Sequence, residues 1–261
     1  MTKLMMAVVI VIFVVIDHAG ATSPDVTSSD ECLSCHQQRD AALVDSWAKS
    51  RHAAVDVGCP SCHGIDHQGA MAKRARHNDA CINCHQRESS SYSLSKHGVI
   101  VTLEAQKLDF SLPLKEGHLR APTCAYCHMH DKEHHAGSGV FPITPIGRHA
   151  ATDDDIRSEK RAEPCRDCHS PRFVETWFNS GDRMVEIGRM KIREAAQILA
   201  TIPPQREQQG QQLFQQMTEQ HLRNLFLGVG HQSPDDQWWH GHPALDGDLL
   251  RIKSLLLLAI P

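Results

Sequence analysis

A five-residue pattern, Cys-x-x-Cys-His, occurs five times in this chain and uses all ten of its cysteines. It is the pattern of c-type haem attachment, in which both thiols bond to the porphyrin and the adjacent imidazole binds the iron. A zinc site, a redox dithiol or a disulfide would need only the cysteine pair. The histidine that follows every pair argues against those alternatives. The sequence therefore predicts five covalently bound haem c groups.

The predicted attachment residues come in five pairs, numbered one to five along the chain. They are Cys32 and Cys35, Cys59 and Cys62, Cys81 and Cys84, Cys124 and Cys127, and Cys165 and Cys168. The five predicted proximal iron ligands are His36, His63, His85, His128 and His169.

The composition agrees with a chain that wraps haem. Aromatic residues make up only 5% of the 261 residues, and porphyrins would supply the large apolar surfaces that Phe and Trp usually provide. The formal charge of -4 argues against a nucleic-acid partner. Because haem propionates would make the protein more acidic, we expect a redox partner protein to dock through a basic patch of opposite charge.

The first residues follow the three-part pattern of a secretory signal peptide. Lys3 precedes an apolar run from Met5 to Ile16, and Ala19-Gly-Ala21 resembles a cleavage site. We predict a signal peptide over 1–21, cleavage near Ala21 and a periplasmic location. The alternative is a retained membrane anchor, for which the apolar run is short of the roughly 20 residues that a spanning helix needs.

Periodicity predicts a mainly α fold with extensive loops. We expect a haem-wrapping part over 22–170, with an irregular stretch between 99 and 123, and a helical part over 171–261. In the second part, apolar spacing and Pro or Gly stops predict helices over Arg172–Ala200, Gln205–Leu227 and Ala244–Ile260.

Histidines outside the motifs are candidates for the second axial ligand of each iron. Ser50-Arg-His52 and Ser95-Lys-His97 follow two of the motifs in similar positions, which makes His52 and His97 the favoured candidates. His67, His118 and His149 are further candidates. We also expect at least one ligand from the cluster His130, His134 and His135. The count of histidines leaves open whether all five irons are filled or one keeps a free face.

Several stretches together resemble the hydroxylamine oxidoreductase-like multihaem cytochromes c. They are Trp47-Ala-Lys-Ser50-Arg-His52-Ala53, Val57-Gly-Cys59-Pro-Ser-Cys62-His63-Gly64, Ser95-Lys-His97-Gly98, Ala121-Pro-Thr-Cys124-Ala-Tyr-Cys127-His128-Met129, Cys165-Arg-Asp-Cys168-His169-Ser170 and Gly230-His231-Gln-Ser-Pro-Asp235-Asp-Gln-Trp238-Trp239-His240-Gly241.

The resemblance implies redox chemistry on a small nitrogen compound, with one five-coordinate haem and the remaining haems as bis-histidine electron wires. The best-known members have eight haems per subunit and form trimers. This chain has five motifs and therefore resembles a shortened member. In the oxidising members a C-terminal tyrosine is bonded to the catalytic haem, whereas Tyr92 and Tyr126 are the only tyrosines here. The related five-haem nitrite reductases carry a Cys-x-x-Cys-Lys motif, which this chain lacks.

Two functional hypotheses follow, with a minor third. The first is an exported oxidoreductase acting on hydroxylamine or nitrite at an open haem; His36 is a candidate by position, and Asp235 and Asp236 could relay protons. No catalytic residue is assigned. The second is a non-catalytic periplasmic cytochrome whose haems are all bis-histidine. The third is a membrane-tethered, quinol-linked cytochrome.

The expected partner is a cytochrome or a quinol-linked donor or acceptor. A homo-oligomer is also considered, with Trp238 and Trp239 either at a subunit interface or on a haem edge.

Overall fold

The computed structural model describes residues 29–65, 67, 71–112, 121–130, 134 and 162–257. Across these residues the chain forms helices and turns and no β-strand, which confirms the mainly α fold. The predicted signal peptide at 1–21 lies outside the described residues. The boundaries proposed at 22–170 and 171–261 stay predictions.

The haem-motif part consists of short helices joined by turns. They are α1 (Ser29–Arg39), α2 (Ala41–Ala48), α3 (Cys59–His63), α4 (Met71–Arg76), α5 (Asp79–Ile82), α6 (Gln86–Ser93), α7 (Lys96–Glu104), α8 (Cys124–His128) and α9 (162–166). Short 3₁₀ turns cover Ala53–Val55 and Ala105–Lys107. The motifs lie on or at the ends of these helices. Because residues three apart on a helix share one side, a helical turn presents both cysteines of a motif together.

The stretch predicted to be irregular between 99 and 123 is partly helical, so that prediction was wrong at its start. α7 begins at Lys96 because the Ser95 hydroxyl accepts a hydrogen bond from the Gly98 N–H at 3.0 Å and caps the helix, which then runs to Glu104. The predominantly apolar segment that follows then continues in helical conformation in spite of its β-branched residues.

Three long helical stretches form the C-terminal part. α10 covers Pro171–Leu199. One continuous helix then comprises α11 (Glu207–Gln216), a π-helical segment (Met217–Leu222) and α12 (Arg223–His231). The short α13 (Pro234–Trp238) precedes α14 (His242–Leu257). These elements agree with the predicted helices, except that the second helix does not stop at Gly228 but continues to His231. Gly228 serves close packing instead, since a Cβ there would lie 2.6 Å from the backbone nitrogen of Gln237.

The main apolar core lies between these C-terminal helices. Along α10 the buried residues Val174, Gly181, Val185, Gly188, Ile192 and Ala195 recur at the three- and four-residue spacing of one helix face. Gly188 lets α12 approach closely, because a Cβ at this position would meet the Leu225 side chain at 2.8 Å. Ile192, Leu225, Leu245 and Ile252 are at most 1% exposed and belong to one cluster.

Most of the buried apolar side chains in the described residues lie after residue 171. The short helices of the haem-motif part bury few of their own, so contacts among their side chains contribute little to a core. This distribution fits a polypeptide that is held around large apolar groups. Among the described residues, no helix is both long and apolar enough to cross a bilayer.

We predict that Ile192→Ala lowers the free energy of unfolding of the C-terminal part by about 2–4 kcal/mol, because it leaves a cavity in a filled core. Ile187 lies on the same helix and is 38% exposed, so Ile187→Ala should change stability by no more than about 0.5 kcal/mol. Chemical denaturation followed by circular dichroism measures both. Equal effects of the two substitutions would contradict this assignment of the core.

Candidate haem-binding site

Four motif histidines each face a second imidazole from outside the motifs. The ring centroids of His85 and His52 lie 5.9 Å apart, and those of His63 and His134 lie 6.2 Å apart. The corresponding separations are 6.1 Å for His169 and His97 and 6.4 Å for His128 and His231. Each pair joins one predicted proximal ligand to one non-motif histidine. The structure therefore builds four sites of one common design.

The separations fit a metal between the rings. An imidazole nitrogen binds a transition metal at roughly 2 Å, and the ring centroid lies about 1 Å farther, so two axial imidazoles place their centroids about 6 Å apart. Direct stacking gives much shorter separations, as at His77 and Phe110, whose centroids are 3.6 Å apart. The residues present thus fit haem iron held between two histidines.

Three of the four non-motif imidazoles, His52, His97 and His231, have a lowered pKa, which favours the neutral form that binds metal. Burial, together with the neighbouring His128, lowers the pKa of His231 to about 4. Burial likewise lowers the pKa of His52 and of His97, and the facing motif histidine adds to each shift. A neutral imidazole has a free nitrogen lone pair for a metal. His231 Nδ1 is buried and has no hydrogen-bond partner among the described residues.

Two of the pairs follow one rule along the chain. His52 comes after the first motif and faces His85 of the third motif. His97 comes after the third motif and faces His169 of the fifth. Each of these segments therefore supplies a ligand two motifs downstream. His134 and His231 instead lie later in the chain than the motif histidines that they face. His134 faces His63 of the second motif, and His231 faces His128 of the fourth.

The cysteines of consecutive motifs meet in chain order. The thiols of Cys32 and Cys59 are within hydrogen-bonding reach, and so are those of Cys81 and Cys124. Cys62 interacts electrostatically with Cys81 and Cys84 of the third motif. Burial, with Cys165 and Cys168 nearby, raises the pKa of Cys127 to about 12. These contacts place the attachment edges of motifs one to five next to one another in sequence.

Side-chain hydrogen bonds in or beside the motifs join neighbouring motifs at two of these junctions. Tyr126 of the fourth motif donates a hydrogen bond to Asp167 of the fifth at 2.8 Å, and His130 Nε2 lies 3.1 Å from the same carboxylate oxygen. Asn78 Oδ1, just before the third motif, accepts from the backbone N–H of Cys124 at 2.9 Å. Side chains in the motifs and close to them thus help to fix the relative placement of neighbouring sites.

The helix that carries His231 packs beside the third motif, where Arg87 contacts the π-helical segment of that helix. Arg87 donates hydrogen bonds to the carbonyl oxygens of Glu219 and Gln220 at 3.3 and 3.0 Å and to Asn224 Oδ1 at 2.7 Å. A π-helical segment departs from the regular α-helical bonding pattern, and such segments are frequent at functional sites. Glu88 pairs with Arg223 at 2.9 Å. These contacts tie the two parts of the chain together beside His85.

The other sequence-predicted ligands fall into two groups. Within the described residues, His36 and His67 are exposed and face no second imidazole. His118 and His149 lie outside the described residues and stay predictions.

Asp235, considered for proton relay, has its carboxylate 2.8 Å from His240 Nδ1 on an exposed part of the surface. Trp238 and Trp239 are exposed, at 54% and 73%.

Sequence reasoning did not single out His231 or Tyr92. His231 stands in the tail that carried the family resemblance, which was the available signal. The Tyr92 ring lies edge-on to His231 with centroids 6.3 Å apart, and burial raises its pKa. No spacing rule connects Tyr92 to a residue so far along the chain. Of the two described members of the predicted cluster, His130 and His134, it is His134 that meets a motif histidine. Ser46 Oγ accepts from the His134 backbone N–H at 2.9 Å. His135 lies outside the described residues.

Comparisons with known proteins agree with this geometry. A family profile described as "Seven times multi-haem cytochrome CxxCH" matches residues 27–215. A chain of the reducing HAO-like protein complex of Kuenenia stuttgartiensis has a similar fold, with a TM-score of 0.58 and 17% sequence identity over 88% of this chain and 86% of that one. A hypothetical multiheme protein matches with a TM-score of 0.57 and 15% identity over 77% of this chain and 58% of that one.

We predict that the double substitution Cys165→Ala with Cys168→Ala lowers the number of covalent haems from five to four, because each cysteine pair holds its own group. Intact-mass spectrometry and a pyridine haemochrome assay on exported protein measure this number. Ser61 lies between the cysteines of the second motif, and Ser61→Ala should keep all five. A wild-type chain without covalent haem would contradict the assignment of the motifs.

Proposed function

This chain belongs to the multihaem cytochrome family with Cys-x-x-Cys-His motifs, and we propose that it transfers electrons along five haems arranged in the order of their motifs. The four imidazole pairs, with centroids 5.9 to 6.4 Å apart, are the observation that carries the proposal. Covalently bound haem supplies one-electron redox chemistry at iron, and histidine on both faces leaves no position for a substrate. Such sites suit electron transfer alone.

The residues of the chain do three things for this function. The cysteine pairs fix each group at one edge and set consecutive attachment edges side by side. The half-buried histidines His52, His97 and His231, whose pKa values are lowered, would bind the irons together with the motif histidines. The hydrogen bonds between Tyr126 and Asp167, and between Asn78 and Cys124, keep neighbouring sites at constant separation. A constant separation matters because electron transfer depends steeply on distance.

The location and partner of the protein are part of the proposal. C-type cytochromes are typically exported, and the N-terminal pattern supports secretion to the periplasm. The similar fold from Kuenenia stuttgartiensis belongs to a protein complex. We propose by analogy that this chain passes electrons to or from a redox partner protein, a cytochrome or a quinol-linked donor or acceptor, with a basic docking surface.

We predict that replacing any one of the four facing histidines, for example His97→Ala, converts one haem from low-spin to high-spin, because the iron loses its sixth ligand. Electron paramagnetic resonance of the ferric protein measures the high-spin signal per chain. His67 is exposed and faces no motif histidine within the described residues, so His67→Ala serves as the matched control and should leave the spectrum unchanged. A His97→Ala spectrum identical to that of the wild type would refute the bis-histidine assignment.

A second candidate function is reduction of a small nitrogen compound at the first motif. Within the described residues, the exposed His36 is the motif histidine that faces no second imidazole. A free axial position opposite His36 would admit nitrite or hydroxylamine. Reduction is favoured because neither tyrosine follows the last motif.

Ligand titration separates the two candidates. If the first site is open, wild-type ferric protein should show one high-spin haem in five, and cyanide, nitrite or hydroxylamine should convert it stoichiometrically. Exclusively low-spin haems that do not respond to these ligands would leave electron transfer as the sole function. In that case, His118→Ala and His149→Ala, tested separately, would identify the residue that fills the first site by the appearance of the high-spin signal.

A further inference from the structure

Two six-residue segments of the haem-motif part share a pattern beyond their histidines. They are Trp47-Ala-Lys-Ser50-Arg-His52 and Tyr92-Ser-Leu-Ser95-Lys-His97. Each begins with an aromatic residue that has a polar tip, has serine three positions later, then a basic residue and the facing histidine. We call these the ligand-presenting segments. Each lies at the end of one helix and the beginning of the next helical turn.

The two serines make the same hydrogen bonds. Ser50 Oγ accepts from the Ala53 N–H at 3.1 Å, and Ser95 Oγ accepts from the Gly98 N–H at 3.0 Å. Each serine N–H also donates to the carbonyl of the aromatic residue, at 2.8 Å for Trp47 and 2.9 Å for Tyr92. Both serines are buried, with exposures of 6% and 1%. A serine in this position fixes the first turn of the helical segment that follows it.

The aromatic residues anchor the segments to distant parts of the backbone. Trp47 Nε1 donates to the Val57 carbonyl at 3.2 Å, and Tyr92 Oη donates to the Pro122 carbonyl at 2.5 Å. Val57 and Pro122 lie just before the second and fourth motifs, respectively. Each segment is therefore fastened at its aromatic tip, at its serine and at the turn that carries the histidine.

We propose that Ser50 and Ser95 are positioning residues that aim His52 and His97 at the irons of the third and fifth motifs. This inference rests on the proposed bis-histidine ligation of those two sites. The serine does not touch the metal. Its hydroxyl accepts from the backbone N–H of the residue directly after the ligand, so the imidazole is held in the binding orientation before the iron is ligated. Holding a ligand in this way lowers the entropy lost when it binds the metal.

The pattern also explains why the same short sequence serves two sites. The turn and its anchor are local, so they can be repeated wherever an aromatic residue and a serine have the same spacing. The target of the histidine is set by the packing of the segment against a later motif. This arrangement is consistent with the shift of two motifs that both segments show.

The test is carried out on exported holoprotein with a competing ligand. Carbon monoxide must displace the distal histidine of a ferrous bis-histidine haem, so its apparent affinity reports how firmly that histidine is held. We expect Ser95→Ala to keep five haems per chain and to raise the carbon monoxide affinity of one haem by roughly fivefold, the factor expected for a lost N-cap. Ser50→Ala should act in the same way on a different haem.

Rescue and control variants separate positioning from general destabilisation. Ser95→Thr keeps a hydroxyl acceptor and should restore the wild-type affinity. Ser93 is exposed and two residues upstream, and its hydroxyl donates to the Ser90 carbonyl, so Ser93→Ala should have no effect. Equal carbon monoxide affinities for wild type, Ser95→Ala and Ser50→Ala would overturn the proposal.

The His97→Ala variant distinguishes failure of this inference from failure of the proposed function. If His97→Ala opens one haem and Ser95→Ala changes nothing, His97 is a ligand but the serine does not position it. If His97→Ala also leaves the spectrum and the carbon monoxide affinity unchanged, the ligation itself is wrong and both proposals fall together. A combined loss of haem in Ser95→Ala and Ser95→Thr would assign the serine to folding and would also overturn the positioning role.

Discussion

The structure repeats one distance, roughly 6 Å between the centroids of a motif imidazole and a non-motif imidazole, which is the separation that two imidazoles bound to the same iron would have. One imidazole of each pair is fixed beside its cysteines, so the other must be brought in from a different part of the chain. Four separate segments meet this requirement, with separations between 5.9 and 6.4 Å. Because the two imidazoles of each pair come from different segments, each iron would join two parts of the polypeptide. This cross-linking explains how short helices with few buried apolar side chains can hold a defined arrangement.

The C-terminal helices have a different source of stability. Their core of Ile192, Leu225, Leu245 and Ile252 is buried by side chains of the C-terminal helices themselves. They offer a stable support from which His231 reaches the fourth motif at the end of α12. The contact of Arg87 with the π-helical carbonyls fastens this support to the third motif. The proposed ligand at the fourth site is therefore held by a conventional hydrophobic core, whereas the proposed ligands at the third and fifth sites are held by short turns closed by serine.

Much of the candidate site could be predicted from the sequence because its chemistry is local. The two cysteines and the histidine of each motif act within a single helical turn, so their spacing is sufficient to identify them. His52 and His97 could be recognised because a repeated serine precedes them at constant spacing. The pairing of these histidines with the third and fifth motifs could not be predicted, since it depends on how whole segments pack. His134 was one of three candidates in a cluster, and only its contact with His63 selects it.

The sequence by itself determined the cofactor class and the mainly α fold, because both follow from residue types at short separations. The positions of attachment stay a prediction of the same kind. The tertiary structure alone decided which imidazole faces which motif, the order in which the attachment edges meet, and the role of His231. These properties depend on distances between residues far apart in the chain. Such distances are set by the sum of many weak packing contacts, and no spacing rule in the sequence encodes that sum.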